Sequence, residues 1–246
     1  VTPPFAGHEK FKGPVIHTAM WPKEGIDLRG QRVGVVGTGA TGIQVIQTIK
    51  SEVGEMTVFA RTPQYVIPMR NPTYGPKEWQ AFGERFHELK DRVKTTFAGF
   101  DYDFAAGAWA DNTPEQRRKV FEDLWKDGSL ALWVASFAEI FFYPEHSAEV
   151  SEFVREKMRE RLKHDPKLCE LLIPTDYGFG THRVPLEMNY LEAYLQPNVH
   201  TVNCRETPIE RIVPQGIQTA DGKVHEVDVI IMAVGFDAAT GALTRM

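Results

Sequence analysis

Three closely spaced glycines in Gly37-Thr38-Gly39-Ala40-Thr41-Gly42 carry the first recognisable chemistry of this sequence. They follow a short apolar run at 32–36 and precede a segment, 40–51, with the apolar period of a helix. In such a strand–turn–helix, the glycines allow a tight turn, close approach of a pyrophosphate and close packing of the helix on the strand. The start of the helix favours phosphate through its N–H groups and dipole. The motif, with Gln44 on the same helix, predicts a dinucleotide site; a purely structural glycine-rich turn is the alternative.

The end of the next apolar run, 56–60, indicates which nucleotide binds. NAD and FAD sites usually carry an acidic residue there, which accepts hydrogen bonds from the ribose hydroxyls. Here the run is followed by Arg61 and Thr62. An arginine cannot accept a hydrogen bond, but it can pair with a 2′-phosphate. The sequence therefore favours NADP(H) over NAD and FAD at this site, with an ordinary surface arginine as the alternative.

The elements that position these residues follow from apolar periodicity. Strands are predicted at 32–36, 56–60, 199–202, 209–213 and 227–234, with a hairpin at 216–226 around Asp221-Gly222. The pattern predicts an α/β fold: a Rossmann-like NADP-binding domain interrupted by an α-helical insertion. The predicted divisions are a connector (1–31), the first part of the NADP-binding domain (32–75), the insertion (76–173), the second part of the domain (174–234) and a link to a further domain (235–246).

Within the insertion, aromatic residues at steps of three and four predict a helix through Trp79, Phe82 and Phe86. Thr113-Pro114-Glu115-Gln116 predicts a helix start with a capping box. Residues 129–142 are apolar almost all round, which predicts one deeply buried helix. Further helices are expected from Val150 to Leu162 and after Asp165-Pro166.

Composition limits the classes of partner. The 246 residues are 42% hydrophobic with a formal net charge of -5, typical of a globular protein without the basic field that nucleic acid requires. Cys169 and Cys204 are too far apart to indicate a disulfide framework or a cysteine metal site, so we expect no metal and a cytoplasmic, reducing location. No apolar run has the length of a membrane span. The chain opens without a Met, as if in a loop, which suggests a fragment.

The segment upstream of the glycines resembles a family fingerprint. Phe11, Gly13, His17, Trp21 and Pro22 match all positions of FxGxxxHxxxW(P/D), the fingerprint of Baeyer–Villiger monooxygenases. The related flavin monooxygenases carry other residues where Trp21 stands. In the family, the role of the residue at His17 is positional, linking the cofactor domains.

The resemblance extends to the end of the chain. His182-Arg183 is similar to the basic pair of the family, usually Lys-Arg, which implies that Arg183 is the catalytic arginine. His182, in place of the lysine that would contact the 2′-phosphate, is only partly charged near neutral pH, so the preference for NADPH could rest mainly on Arg61 and Thr62. The run 233–237, AVGFD, is similar to the ATG(Y/F)D motif.

The resemblance implies a fragment of an enzyme that uses NADPH, FAD and O2 to convert ketones to esters or lactones. The arginine would stabilise the reduced flavin and the anionic species of the reaction. The earlier GxGxxG that binds FAD, and the C-terminal part of the family, are not in this sequence, so we expect the flavin domain to be missing and the fragment alone to be inactive. Two alternatives stay open: a non-catalytic NADP(H)-binding module, and a flavin monooxygenase that oxygenates nitrogen or sulfur. The sequence indicates neither which ketone is used nor an oligomeric state.

Overall fold

We describe the fold from a computed structural model, in which residues 5–104, 107–235 and 241 are described. The strands in this part of the chain are β1 (Val15–His17), β2 (Arg32–Val36), β3 (Glu55–Ala60), β4 (Ile67–Pro68), β5 (Leu186–Glu187), β6 (Val199–Asn203), β7 (Ile209–Val213), β8 (Gly216–Thr219), β9 (Val224–Glu226) and β10 (Val229–Met232). The α-helices are α1 (Ala40–Ile49), α2 (Pro76–Arg92), α3 (Pro114–Asp127), α4 (Ala131–Val134), α5 (Pro144–Arg161), α6 (Pro166–Leu172) and α7 (Tyr190–Ala193).

A parallel sheet carries the glycine motif. Among the described residues its strand order is β1-β10-β2-β3-β6, and each neighbouring pair is parallel. The central strands are almost wholly buried, as continuous runs of Val, Ile and Met require when both faces are covered. The α/β fold and the β2–α1–β3 unit are therefore confirmed, with α1 ending at Ile49 and β10 ending at Met232, each two residues earlier than predicted.

The segment 1–31, predicted as a connector, contributes a strand to this sheet. Strand β1 pairs with β10, with Val15 opposite Ile230 and His17 opposite Met232. Gly13, just before β1, passes so close to the start of β10 that a Cβ there would lie 2.0 Å from the carbonyl oxygen of Asp228. The interpretation as a connector without a strand was incomplete, because the pairing partner of β1 lies more than two hundred residues away.

The predicted hairpin at 216–226 is confirmed. Strands β8 and β9 are antiparallel and join around Gly222, which has the positive φ of 81° that such a turn needs. With β7 they form a small antiparallel sheet that packs on the parallel one. The shared apolar core contains Val36, Phe59, Val202, Ile212, Ile217, Val227, Ile230 and Met232.

The chain divides into two compact units. The first contains the described residues up to Gln64, Met158–Pro174 and those from Asn189 onward, and so holds the five-stranded and three-stranded sheets. The second contains Tyr65–Lys157 and Thr175–Met188, with α2, α3 and α4 and the short parallel pair of β4 and β5. Residues 158–173, which the sequence assigns to the insertion, belong to the first unit.

The helices of the second unit follow local signals only in part. Thr113 caps α3 with the predicted box: its hydroxyl accepts from the N–H of Gln116, whose side chain accepts from the N–H of Thr113. The single buried helix predicted for 129–142 is wrong. The segment contains only the four-residue α4 and a 3-10 turn at Ala138–Phe141, separated by extended backbone at Phe137, and Phe142 is exposed. Its aromatic and β-branched residues have modest helix propensity, so burial of single side chains such as Leu132 and Phe137 decides the path.

Candidate functional site

The glycine loop has the geometry that its spacing predicts. Gly37 has φ +106°, and a Cβ on it would lie 2.5 Å from the carbonyl oxygen of Ala233. A Cβ on Gly42 would lie 2.2 Å from the carbonyl oxygen of Gly37, so the first turn of α1 packs directly on the loop. A Cβ on Gly39 would meet nothing within 4 Å. Two glycines therefore serve close packing, and the third leaves the backbone open on one side.

That open side faces a cavity of about 760 Å³ in the first unit. The cavity lies at the carboxyl ends of β2, β3 and β10, where parallel sheets bind ligands. The start of α1 points into it, with N–H groups in the first turn that have no acceptor within the helix. The predicted site residues that line it are Gly37, Thr38, Gly39, Ala40, Thr41, Arg61 and Thr62.

Hydrogen bonds tie the glycine loop to the end of β3. The buried hydroxyl of Thr38 donates to the carbonyl oxygen of Thr62 at 2.9 Å, and the N–H of Gly37 donates to the carbonyl oxygen of Phe59 at 3.1 Å. The loop and the segment that carries Arg61 are thus held as one wall. Gln44 lies on the exposed face of α1, outside the residues that line the cavity, although it was predicted as a cofactor contact.

A second arginine stands beside Arg61, and the sequence analysis missed it. Arg205 follows β6, which pairs with β3 in parallel so that Ala60 and Asn203 are opposite each other. The Nε of Arg205 donates to the carbonyl oxygen of Arg61 at 2.8 Å, and its N–H donates to the Asn203 side chain at 3.1 Å. The ends of two neighbouring strands therefore bring Arg205 next to the backbone of Arg61, which lines the cavity.

Cys204 and Gln64 also line the cavity and were not predicted. The Cys204 thiol is half-buried, and this burial raises its pKa to about 11, although the nearby charge of Arg61 favours the thiolate. The thiol is therefore protonated at neutral pH and forms part of the apolar floor with Phe5 and Ile209. Only the adjacency of β3 and β6 shows that Cys204 belongs to the site.

The fingerprint residues lie on and beside β1. Phe11 packs against the shared core, and Gly13 makes the close approach to β10. His17, predicted in a loop, is instead the last residue of β1 and is buried; its Nδ1 accepts from the N–H of Ala19 at 3.2 Å. The neutral ring then carries its proton on Nε2, which is buried without a partner among the described residues. Trp21 is exposed and Pro22 is half-buried.

His182 and Arg183 belong to the second unit. Both side chains are exposed, and the His182 ring lies edge-on to Tyr177 with centroids 4.7 Å apart. The next residues are anchored: Val184 is buried, and the carbonyl oxygen of Pro185 accepts from the N–H of Ile67 at 3.1 Å. A rigid segment therefore presents the Arg183 guanidinium on the surface of this unit.

Ala233, Val234 and Gly235, which follow β10, line the cavity. Phe236 and Asp237, the last two residues of the ATG-like run, lie outside the described residues. In the part of the chain that the structure describes, no group of three or more His, Cys, Asp or Glu residues is placed to hold a metal ion. None of the described helices is both long and apolar enough to cross a bilayer.

Similar proteins cover almost the whole chain. The acetone monooxygenase (methyl acetate-forming) of Gordonia sp. strain TY-5 is 64% identical over 242 residues, which are 98% of this chain and 45% of that protein. The cyclopentanone 1,2-monooxygenase of Comamonas sp. strain NCIMB 9872 is 39% identical over 247 residues, which are 44% of its length. No protein-family profile matches the sequence.

Solved structures agree with the fold. A crystal structure of OTEMO in complex with FAD and NADP matches with a TM-score of 0.94 at 38% identity, over 100% of this chain and 46% of that one. An open crystal structure of cyclohexanone monooxygenase matches with a TM-score of 0.91 at 34% identity, over 99% of this chain and 47% of that one. The sequence resemblance is thereby confirmed: almost the whole chain matches Baeyer–Villiger monooxygenases, and it spans a little less than half the length of the relatives it matches.

Proposed function

We propose that residues 1–246 are the NADP(H)-binding portion of a Baeyer–Villiger monooxygenase that converts ketones to esters or lactones. The observation that carries this proposal is one cavity bordered by the open Gly39 backbone, the start of α1 and Arg61. In this proposal the first unit is a Rossmann-like domain, the segment between its two parts is a helical insertion, and FAD is held by parts of the polypeptide outside this chain. We also propose a cytoplasmic location, which the unbridged Cys169 and Cys204 favour.

The residues present fit NADP(H). The N–H groups at the start of α1 would hold the pyrophosphate, because Gly39 leaves the backbone open there. Arg61, with Thr62 and Arg205, would hold the 2′-phosphate through charge-assisted hydrogen bonds. His182 is the further candidate for this phosphate that the family resemblance supplies. When bound, NADPH supplies a hydride and FAD supplies the chemistry with O2.

Two other residues have proposed roles that follow from the family. Arg183 would be the catalytic arginine: its fixed positive charge, held on an anchored segment, stabilises negative charge that develops next to the ketone. His17 would be a positioning residue, because its buried ring holds the end of β1 rather than lining the nucleotide cavity. Acetone is the first substrate to assay, since the relative at 64% identity is an acetone monooxygenase.

The test uses the complete polypeptide with NADPH, O2 and either acetone or cyclopentanone. We expect ester or lactone, and we expect Arg183→Ala to abolish it while the affinity for NADP⁺ is kept. Arg211→Ala is the matched control, because that arginine lies on β7 and pairs with Gln218. Ester at the wild-type rate from Arg183→Ala would refute the role of Arg183.

The same assay separates the alternatives. An N-oxide from an amine, without ester from ketones, would indicate the nitrogen-oxygenating class. The phenazine N-monooxygenase PhzNO1 of Lysobacter antibioticus, whose name places it in that class, is 31% identical to this chain. Nucleotide binding without any oxygenated product would indicate a non-catalytic NADP(H)-binding module.

A further inference from the structure

Helix α2 carries a row of exposed aromatic rings. Trp79, Phe82 and Phe86 lie on one face, and Tyr74 precedes the helix beside them; 47–61% of each of these four residues is exposed. The ring centroids are 5.8 Å apart for Tyr74 and Trp79, and 6.2 Å apart for each of the next two neighbouring pairs. These four residues, the aromatic row, thus form one continuous apolar strip.

The helix that carries the aromatic row has little to hold it in place. In the part of the chain that is described, none of the seventeen residues of α2 is buried. Most of the stability of a helix in a protein comes from packing of its apolar face, and Gly83 in the middle of α2 lowers the helix propensity. The aromatic residues of α2 nevertheless recur at steps of three and four, which is the pattern of a helix with a packed face. The sequence of α2 is therefore suited to a partner that the described residues do not provide.

The size and charge of α2 indicate what kind of partner fits. An aromatic side chain buries ~150–250 Å² when it is covered, so the aromatic row offers several hundred Å², more than scattered surface residues account for. The helix has four basic and four acidic residues, and hence no net charge that would attract an anionic membrane or nucleic acid. An apolar protein surface is the complementary partner.

The length of the relatives indicates where that surface comes from. More than half of the acetone monooxygenase and of the cyclopentanone monooxygenase lies outside the segment that this chain matches. A surface on the same polypeptide is present at a high effective concentration, which favours it over a separate protein or a second copy. We propose that the aromatic row is an intramolecular docking surface, covered by an apolar segment of the complete polypeptide that lies outside residues 1–246.

The test compares Phe82→Lys with Ala81→Lys in the complete polypeptide. Both residues are exposed on α2, but consecutive residues are about 100° apart around a helix, so Ala81 lies outside the row. If the row is covered, Phe82→Lys lowers the thermal midpoint by several degrees and speeds hydrogen exchange in 76–92 at least tenfold, whereas Ala81→Lys does neither. Equal effects of the two variants would overturn the proposal.

Two further measurements keep the result decisive. Hydrogen exchange of the wild-type complete polypeptide decides the matter if Phe82→Lys does not fold: slow exchange in 76–92 supports docking, and exchange as fast as in an isolated helix overturns it. Light scattering gives the molecular mass of the wild type and of Phe82→Lys. A wild-type dimer that becomes a monomer in Phe82→Lys would assign the surface to a second copy and overturn the intramolecular proposal.

Discussion

Replacing Gly39 and Gly42 by alanine, one at a time, separates nucleotide binding from stability. The backbone of Gly39 has φ −72° and ψ −178°, which any residue adopts, and a methyl group there would enter open space. A methyl group on Gly42 would lie 2.2 Å from a backbone oxygen that cannot move away as a flexible side chain could. We therefore expect Gly39→Ala to fold normally and to bind NADP⁺ poorly, and Gly42→Ala to lose stability first.

The magnitudes follow from these two environments. For Gly39→Ala, the alanine lowers the conformational entropy of the unfolded chain, which stabilises the fold, but it also replaces a good N-cap residue, which destabilises the fold. Because these effects oppose each other, the free energy of unfolding changes by less than about 1 kcal/mol. Loss of a charge-assisted contact to the pyrophosphate costs about 1.5–3 kcal/mol, roughly a ten- to hundredfold loss of affinity. For Gly42→Ala, overpacking costs about 1–3 kcal/mol or more, against about 1 kcal/mol of gained helix propensity.

The assay is a calorimetric titration of the complete polypeptide with NADP⁺, paired with thermal unfolding without nucleotide. The expected pattern is a wild-type unfolding midpoint with weak binding for Gly39→Ala, and a lowered midpoint for Gly42→Ala. Wild-type affinity in Gly39→Ala would refute the placement of the pyrophosphate against this backbone. A midpoint lowered as far in Gly39→Ala as in Gly42→Ala would refute the packing argument.

Three further predictions concern the first unit. Arg205→Ala should raise KM for NADPH several-fold more than KM for NADH and leave kcat unchanged, with Arg211→Ala as control; equal KM changes for both nucleotides would contradict this. Iodoacetamide should modify Cys204 slowly at neutral pH and rapidly only near the thiol pKa of about 11, and Arg61→Ala should slow it further by removing a charge that favours the thiolate; rapid modification at pH 7 would show that the thiol is not desolvated. Hydrogen bonds from the arginine that begins β2 lower the pKa of the Asp228 carboxyl, so its stabilising contribution is present above about pH 4 and is lost as pH falls through the lowered value. Asp228→Asn should therefore unfold at a lower temperature at pH 7 and lose less stability on acidification than the wild type; parallel pH curves would contradict it.

The parts of the fold that were predictable rest on neighbours in sequence. Strand β2, the glycine loop and α1 follow one another within eighteen residues, and their signals reinforce each other. Strand β1 was missed because three residues give no usable period and its partner is β10, at the other end of the chain. The break in 129–142 was missed because Phe137 leaves the helical path to bury its ring, which is a tertiary effect.

In the candidate site, too, residues near the glycine motif in sequence could be predicted and residues brought there by tertiary pairing could not. Arg61 could be predicted because it directly follows β3, the strand after the glycine motif. Cys204, which lines the cavity, and Arg205, which contacts the backbone of Arg61, could not. The pairing of β3 with β6 brings them there, across about 140 residues of chain that include the second unit. The aromatic residues of α2 were correctly predicted on a helix, but no local pattern shows whether a face is covered.

The measurement that tests the central claim most directly is the ratio of NADP⁺ to NAD⁺ affinity in the complete polypeptide, with and without Arg61. We predict that the wild type prefers NADP⁺ and that Arg61→Ala weakens NADP⁺ binding roughly ten- to hundredfold, since a charge-assisted contact contributes about 1.5–3 kcal/mol, while NAD⁺ binding changes little. Equal losses for both nucleotides, or a wild type without preference, would contradict the assignment of this cavity to the 2′-phosphate of NADP(H).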